Sequence, residues 1–258
     1  MKKRNAVVIG GAQGIGFSTC ERLVKDCDSL TIVDLKKDAV ESAARRLAAE
    51  GKIRPLGLEA NITSKEQVAA VREKIERDFG PTSILVNSAA IVDDKLFLDS
   101  RPADWQRMID VCLYGPMNVL HEFLPSMVAN KYGRVVCMAS DSYKLGQARL
   151  SYYAAAKAGV VALVKSLAQE LGPSGITLNV VSPGATNTEM RRAREEQLLA
   201  QMGPEKYERR QKAVLKMYPT ARLGEPEDIS AAVHFLTTDD ASWITGQVIS
   251  VNGGFTMA

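Results

Sequence analysis

The chain has 258 residues, 46% of them hydrophobic, 24% charged and 6% aromatic, and its 33 basic and 30 acidic side chains leave a net charge of +3. That profile excludes intrinsic disorder and low-complexity structure, and so even a balance excludes a nucleic-acid binder, which needs a concentrated basic face. No apolar run approaches the roughly 20 residues of a membrane span, and the run Ala6–Ile9 behind the basic start is too short for a secretory signal, so the expected location is the cytoplasm.

Short β-branched runs occur at Ala6–Ile9, Leu30–Asp34, Ile53–Leu58, Ser83–Val86, Arg134–Met138, Thr177–Val181 and Gln247–Val251. Between them lie stretches of helical period, including Ala39–Glu50, Lys65–Phe79, Tyr152–Leu171 and Pro226–Leu236. Strand and helix in alternation imply parallel pairing through right-handed crossovers. Several runs are apolar without alternation, as in strands covered on both faces. The expected fold class is therefore α/β, one domain over residues 1–258 with a seven-stranded parallel sheet. Helix starts are marked by Thr63-Ser64 ahead of Lys65 and by Pro226 with Glu227-Asp228, and Gly172-Pro173 marks a helix end. Residues 188–216 break the rhythm with eight basic and five acidic residues where a strand is due. They read as a helical insertion, either a solvated helix pair or a lid beside a pocket.

The four cysteines, Cys20, Cys27, Cys112 and Cys137, form no CxxC pair and are accompanied only by His121 and His234. No metal site is expected, and the cysteines read as free thiols in a reducing compartment.

Directly after the first strand comes Gly10-Gly11-Ala12-Gln13-Gly14-Ile15-Gly16, and a helix follows. Glycines in that context let the backbone turn tightly against a pyrophosphate, which then meets free N–H groups at the helix start. Asp34 ends the second strand, 18 residues past Gly16. A carboxylate there accepts ribose hydroxyls and repels a 2′-phosphate, so the expected cofactor is NAD. Lys36 and Lys37 stand close enough to compete for a phosphate, whereas Gln13 adds no positive charge.

Tyr153 and Lys157 are four residues apart within the segment Tyr152–Leu171, which places them on one face of a helix, about one turn apart. Ser140 lies 13 residues before Tyr153, just past the run Arg134–Met138. With the glycine turn, Asn87-Ser88-Ala89-Ala90, Pro183-Gly184 with Thr188, and the tail from Arg222 through Ile244-Thr245-Gly246-Gln247 to Gly253-Gly254, the sequence closely resembles the short-chain dehydrogenase/reductase family from Ala6 to Met257. The resemblance implies a doubly wound Rossmann-type domain, an NAD-dependent oxidoreductase, and usually a homotetramer. It implies Tyr153 as the acid/base, Lys157 as its neighbour and holder of the nicotinamide ribose, and Ser140 as donor to the substrate oxygen. The ammonium and a positive nicotinamide are expected to lower the phenol pKa. Gly10, Gln13, Gly14, Ile15, Gly16 and Asp34 fall at the family's phosphate and ribose positions, Asn61 and Ile62 beside adenine, and Asn87 at the floor of the adenosine-ribose site. Pro183, Gly184, Thr186 and Thr188 fall in the loop that grips the carboxamide. Three positions depart from the family pattern. Ile9 replaces a threonine, Asn61 an aspartate, and Cys112 an asparagine that holds a water in a proton relay.

The substrate is expected to be a small alcohol or ketone, most like a hydroxyacyl-CoA thioester, some of them ring-bearing, with Arg191, Arg192 or Arg194 meeting CoA phosphates. The alternatives are a dehydrogenase of free cyclic alcohols or diols, an NADPH-dependent 3-oxoacyl reductase, and a non-catalytic nucleotide-binding subunit of a mixed oligomer.

Overall fold

The structure, a computed structural model, describes residues 3–49 and 53–257. Its strands are β1 (Asn5–Ile9), β2 (Ser29–Asp34), β3 (Leu56–Glu59), β4 (Ile84–Asn87), β5 (Gly133–Met138), β6 (Ile176–Pro183) and β7 (Val248–Val251). They form a sheet in the order β3-β2-β1-β4-β5-β6-β7, every pair parallel. The helices are α1 (Gly14–Leu23), α2 (Lys37–Ala48), α3 (Lys65–Phe79), α4 (Pro102–Ile109), α5 (Gly115–Ala129), α6 (Ser142–Leu145), α7 (Ser151–Leu171), α8 (Glu189–Met202), α9 (Pro204–Lys216) and α10 (Pro226–Leu236). The seven-stranded parallel, Rossmann-type sheet expected from the sequence is present. The predicted end of the second helix at Glu50 lies outside the described residues.

Both faces of the sheet are covered, as the unbroken apolar runs require. Val7, Ile9 and Leu85 point into a core with Phe123 and Val164, whereas Ala6, Val8 and Ile32 point into another with Leu23, Val233 and Leu236. Adjacent residues of one strand thus feed opposite cores, the period-2 signature of a pleated strand. The third strand begins at Leu56 and not at the predicted Ile53. Pro55 has no N–H to give a ladder, so pairing with Thr31 starts one residue later.

Strand order reverses between β1 and β4, which opens a crevice at the carboxyl edge of the sheet. The chain leaves β1 there with Gly10 at φ +74°, its N–H bonded to the Val33 carbonyl at 2.7 Å. A Cβ on Gly10 would stand 2.6 Å from the Ala89 nitrogen, and one on Gly16 would stand 2.0 Å from the Gly10 oxygen. The turn closes this tightly only because both positions are glycine. Gly10→Ala is expected to lower unfolding free energy by roughly 2–4 kcal/mol through left-handed strain and overpacking. Denaturant unfolding checks this, and an unchanged midpoint would contradict the packing described.

Candidate active site

Above the switch point lies a cavity of about 790 Å³, within the range of ligand sites. Gly10, Gln13, Gly14 and Ile15 form one wall, and Asp34, Asn61 and Ile62 another. Ser140, Tyr153 and Lys157 stand opposite, with Pro183, Gly184, Thr186 and Thr188 closing the remaining side. The structure thus brings together thirteen of the fifteen residues expected at a cofactor-binding position, with Ser140 beside them. Gly16 does not reach the cavity; it packs on the Gly10 carbonyl. Asn87 lies beneath the wall, 3% exposed, and neither end of its amide has a hydrogen-bond partner.

The residues present fit an extended dinucleotide. The glycine turn leaves room against backbone, the amino end of α1 supplies free N–H groups, and the orphaned Asn87 amide lies just under Ser88 and Ala89 of the cavity wall. Thr188 leans over the turn, its methyl 3.3 Å from where a Cβ on Gly14 would sit, and its hydroxyl caps α8 by accepting from the Arg191 N–H at 3.2 Å. Asn61 folds on itself in an Asx turn, its oxygen accepting from the Thr63 N–H and hydroxyl. Asn118, on α5, donates to the Ile62 carbonyl at 3.0 Å and so holds that wall in place.

Tyr153 and Lys157 share one face of α7, and the Lys157 ammonium lies 5.7 Å from the centre of the Tyr153 ring. That ammonium is buried and donates to the Met138 carbonyl at 2.9 Å, which ties α7 to the end of β5. Burial pushes the Tyr153 phenol above its ordinary pKa; the Lys157 charge and a hydrogen bond from Ser140 oppose the rise without overcoming it. The ammonium acts in the expected direction, and burial of the hydroxyl, invisible in residue spacing, outweighs it. The phenol therefore stays protonated at neutral pH and is poised to give a proton. The Ser140 oxygen accepts from the Ser142 N–H at 3.3 Å and from the Ser142 hydroxyl at 3.0 Å, so its single hydrogen is directed at the Tyr153 hydroxyl and at any oxygen that takes that place in the cavity. Tyr152, next in sequence, instead faces the other way and donates to Asp93 at 2.6 Å.

Several supporting residues escaped the sequence reading. Asp141 is 2% exposed and its carboxylate accepts from Ser182 at 2.7 Å, Asn252 at 2.5 Å and Ser250 at 3.3 Å, which pins the Ser140 loop to β6 and β7. The Tyr218 hydroxyl accepts from the Ala185 N–H at 2.9 Å and fixes the loop after β6. The Asn252-Gly253-Gly254 signal in the tail was legible; that its amide reaches Asp141 was not.

Cys112 lies in a π turn, Asp110–Tyr114, between α4 and α5. Pro116 has no N–H to offer the carbonyl four residues back, that of Cys112, so the regular ladder is interrupted there. The thiol is fully buried and brackets Ile91, donating to its carbonyl at 3.4 Å and accepting from its N–H at 3.5 Å. All four cysteines are free and buried.

A family described as enoyl-(acyl carrier protein) reductase matches residues 10–256. The chain is 34% identical to the 3-oxoacyl-[acyl-carrier-protein] reductase FabG of Salmonella typhimurium, covering 98% of this chain and 97% of that protein. It is 33% identical to the Escherichia coli protein of the same name at the same coverage, and 33% identical to an uncharacterized short-chain type dehydrogenase/reductase of Sinorhizobium fredii over 98% of both chains. The chain belongs to the short-chain dehydrogenase/reductase family. It is an oxidoreductase, and among the described residues no helix is long and apolar enough to cross a membrane.

Two expectations are corrected. NAD was expected from Asp34, but both oxygens of that carboxylate accept backbone N–H bonds, from Ala12 at 3.2 Å and Leu35 at 2.7 Å, which hold it against the glycine turn. The named relatives are 3-oxoacyl reductases, the alternative that the family resemblance couples to NADPH. Their names specify acyl carrier protein, not CoA; of the three arginines expected at a CoA phosphate, Arg192 turns outward to Glu189 whereas Arg191 and Arg194 line a second cavity.

The bracket around Ile91 needs a donor and an acceptor on one side chain, which an amide also has. Cys112→Asn is expected to preserve or raise turnover and Cys112→Val to lower it, as measured by steady-state ketone reduction. A large loss in the asparagine variant would show that the thiol itself is required.

Proposed function

We propose that this protein reduces the ketone of a 3-oxoacyl thioester to a secondary alcohol, with NADPH as the reductant. The observation that carries the reading is the meeting of Tyr153, Ser140 and the Lys157 ammonium, 5.7 Å from the Tyr153 ring, in one wall of the cavity above the glycine turn. The named relatives support the substrate class.

In this reading the substrate carbonyl accepts from both Ser140 and Tyr153. A dinucleotide held along the glycine turn would supply hydride chemistry at the carbonyl carbon. Tyr153 releases its proton to the oxygen, Lys157 stabilises the tyrosinate left behind, and Ser140 holds the developing charge by turning its hydrogen from Tyr153 to that oxygen. Gly10, Gln13, Gly14 and Ile15 would receive the pyrophosphate, with Gly16 packed behind them. Asn61 and Ile62 would flank the adenine, with Asn87 beneath the adenosine ribose. Pro183, Gly184, Thr186 and Thr188 would grip the carboxamide, and Lys157 would meet the nicotinamide ribose. Lys36 and Lys37, at the start of α2 just past β2, would be the cations to meet a 2′-phosphate.

Purified protein is expected to oxidise NADPH, faster than NADH, when given a 3-oxoacyl thioester. Tyr153→Phe is expected to lower kcat by roughly a hundred- to ten-thousandfold, the usual weight of a general acid. Silence toward every 3-oxoacyl thioester, or an undiminished phenylalanine variant, would overturn the reading.

A further inference from the structure

Ser140 and Tyr153 also line a second space of about 180 Å³ on the side away from the glycine turn, between α8, α9 and the loop before α7. The space therefore opens directly beside the two groups that would hold a ketone oxygen. Three guanidinium groups face it: Arg191 and Arg194 from α8 and Arg210 from α9.

Their partners divide unequally. Arg194 is committed to Asp94 at 2.5 Å, and Arg149 closes on the same carboxylate. Burial raises the Asp94 pKa, but the hydrogen bond from Arg149 and the charge of Arg194 outweigh it, so Asp94 stays ionised. Arg210 donates to one oxygen of Glu195 at 2.7 Å, and Gln211 donates to the same oxygen at 2.6 Å. Asp141, the acid in the wall, is saturated by Ser182, Ser250 and Asn252. Arg191 is left with the remainder. Its Nη2 lies 3.1 Å from the other Glu195 oxygen, yet neither atom makes an aligned hydrogen bond, and both are buried. The side chain is 13% exposed, and burial lowers its pKa. Arg191 is thus the least tightly bound of the three guanidiniums: its ion pair with Glu195 is not aligned as a hydrogen bond, and Glu195 already serves Arg210 and Gln211.

We propose that the substrate of this site carries a carboxylate on its acyl chain and that Arg191 binds it, making the substrate class a monothioester of an oxo-dicarboxylic acid. The proposal rests on the ketoreductase reading above. A carrier phosphate is the other anion that suits a guanidinium fork. The space, however, is smaller than the roughly 300 Å³ at which sites for whole drug-sized ligands begin, and the thioester end must lead out to its carrier.

The test compares the N-acetylcysteamine thioester of 3-oxoadipic acid with its terminal methyl ester, neither of which carries phosphate, with NADPH as reductant. The native protein is expected to favour the acid by roughly ten- to a hundredfold in kcat/KM, the weight of a charge-assisted hydrogen bond. Arg191→Gln should remove most of that preference, whereas Arg192→Gln, on an outward residue paired with Glu189, should leave it in place. Reduction of acid and ester at equal efficiency overturns the proposal and leaves the ketoreductase reading standing; reduction of neither overturns both. A preference that survives Arg191→Gln, or one for the CoA thioester regardless of the chain's end, also overturns it. Should Arg191→Gln fail to fold, the native protein decides: the hydroxy acid product should raise Tm more than its methyl ester, and equal shifts contradict the assignment.

Discussion

One hydrogen bond organises the chemistry of this protein: the buried Lys157 ammonium donating to the Met138 carbonyl at the end of β5. It fixes a cation where no solvent screens it, and it joins the helix that bears Tyr153 to the strand that delivers Ser140. Were that carbonyl turned elsewhere, the lysine would be a buried charge without a partner, costing several kcal/mol. The same charge competes with burial for control of the Tyr153 proton. Burial wins, which fits an enzyme whose acid gives a proton to a ketone.

Around that bond, each loop of the site is held by a contact from a distant part of the chain. Asp141 binds Asn252, Tyr218 binds the Ala185 N–H, and Asp94 binds Arg194 across 100 residues of sequence. Catalytic groups must be held to within a fraction of an ångström, and here buried polar contacts hold them. Cys112 follows the same logic with unusual means, a thiol grasping both polar groups of Ile91.

Most strands were legible because the two cores fill them with β-branched residues, β3 being the exception, and Lys65–Phe79 and Pro226–Leu236 were legible to the residue because Ser64 and Pro226 punctuate them. The start of β3 was misplaced because Ile53 looks like strand while Pro55 prevents the ladder. Tyr153, Lys157 and Ser140 stood out by their spacing and order. The direction of the Tyr153 pKa did not, since desolvation depends on what packs over the hydroxyl. Nor did the inward turn of Arg191 and Arg194, because a charged helix reads alike whether its basic side chains meet solvent or line a pocket. Asp34 misled for a similar reason: its position was read correctly, but its bonds to the Ala12 and Leu35 N–H groups belong to the folded turn.

The central claim is that burial and the Lys157 charge oppose each other at the Tyr153 hydroxyl, with burial dominant. It is tested most directly by titrating that phenol through its tyrosinate absorbance, using Tyr153→Phe as the subtraction, in the native protein and in Lys157→Met. The account predicts ionisation above the ordinary tyrosine value in the native protein and higher still without the ammonium. A native phenol that ionises below the ordinary value, or one indifferent to loss of Lys157, would contradict it.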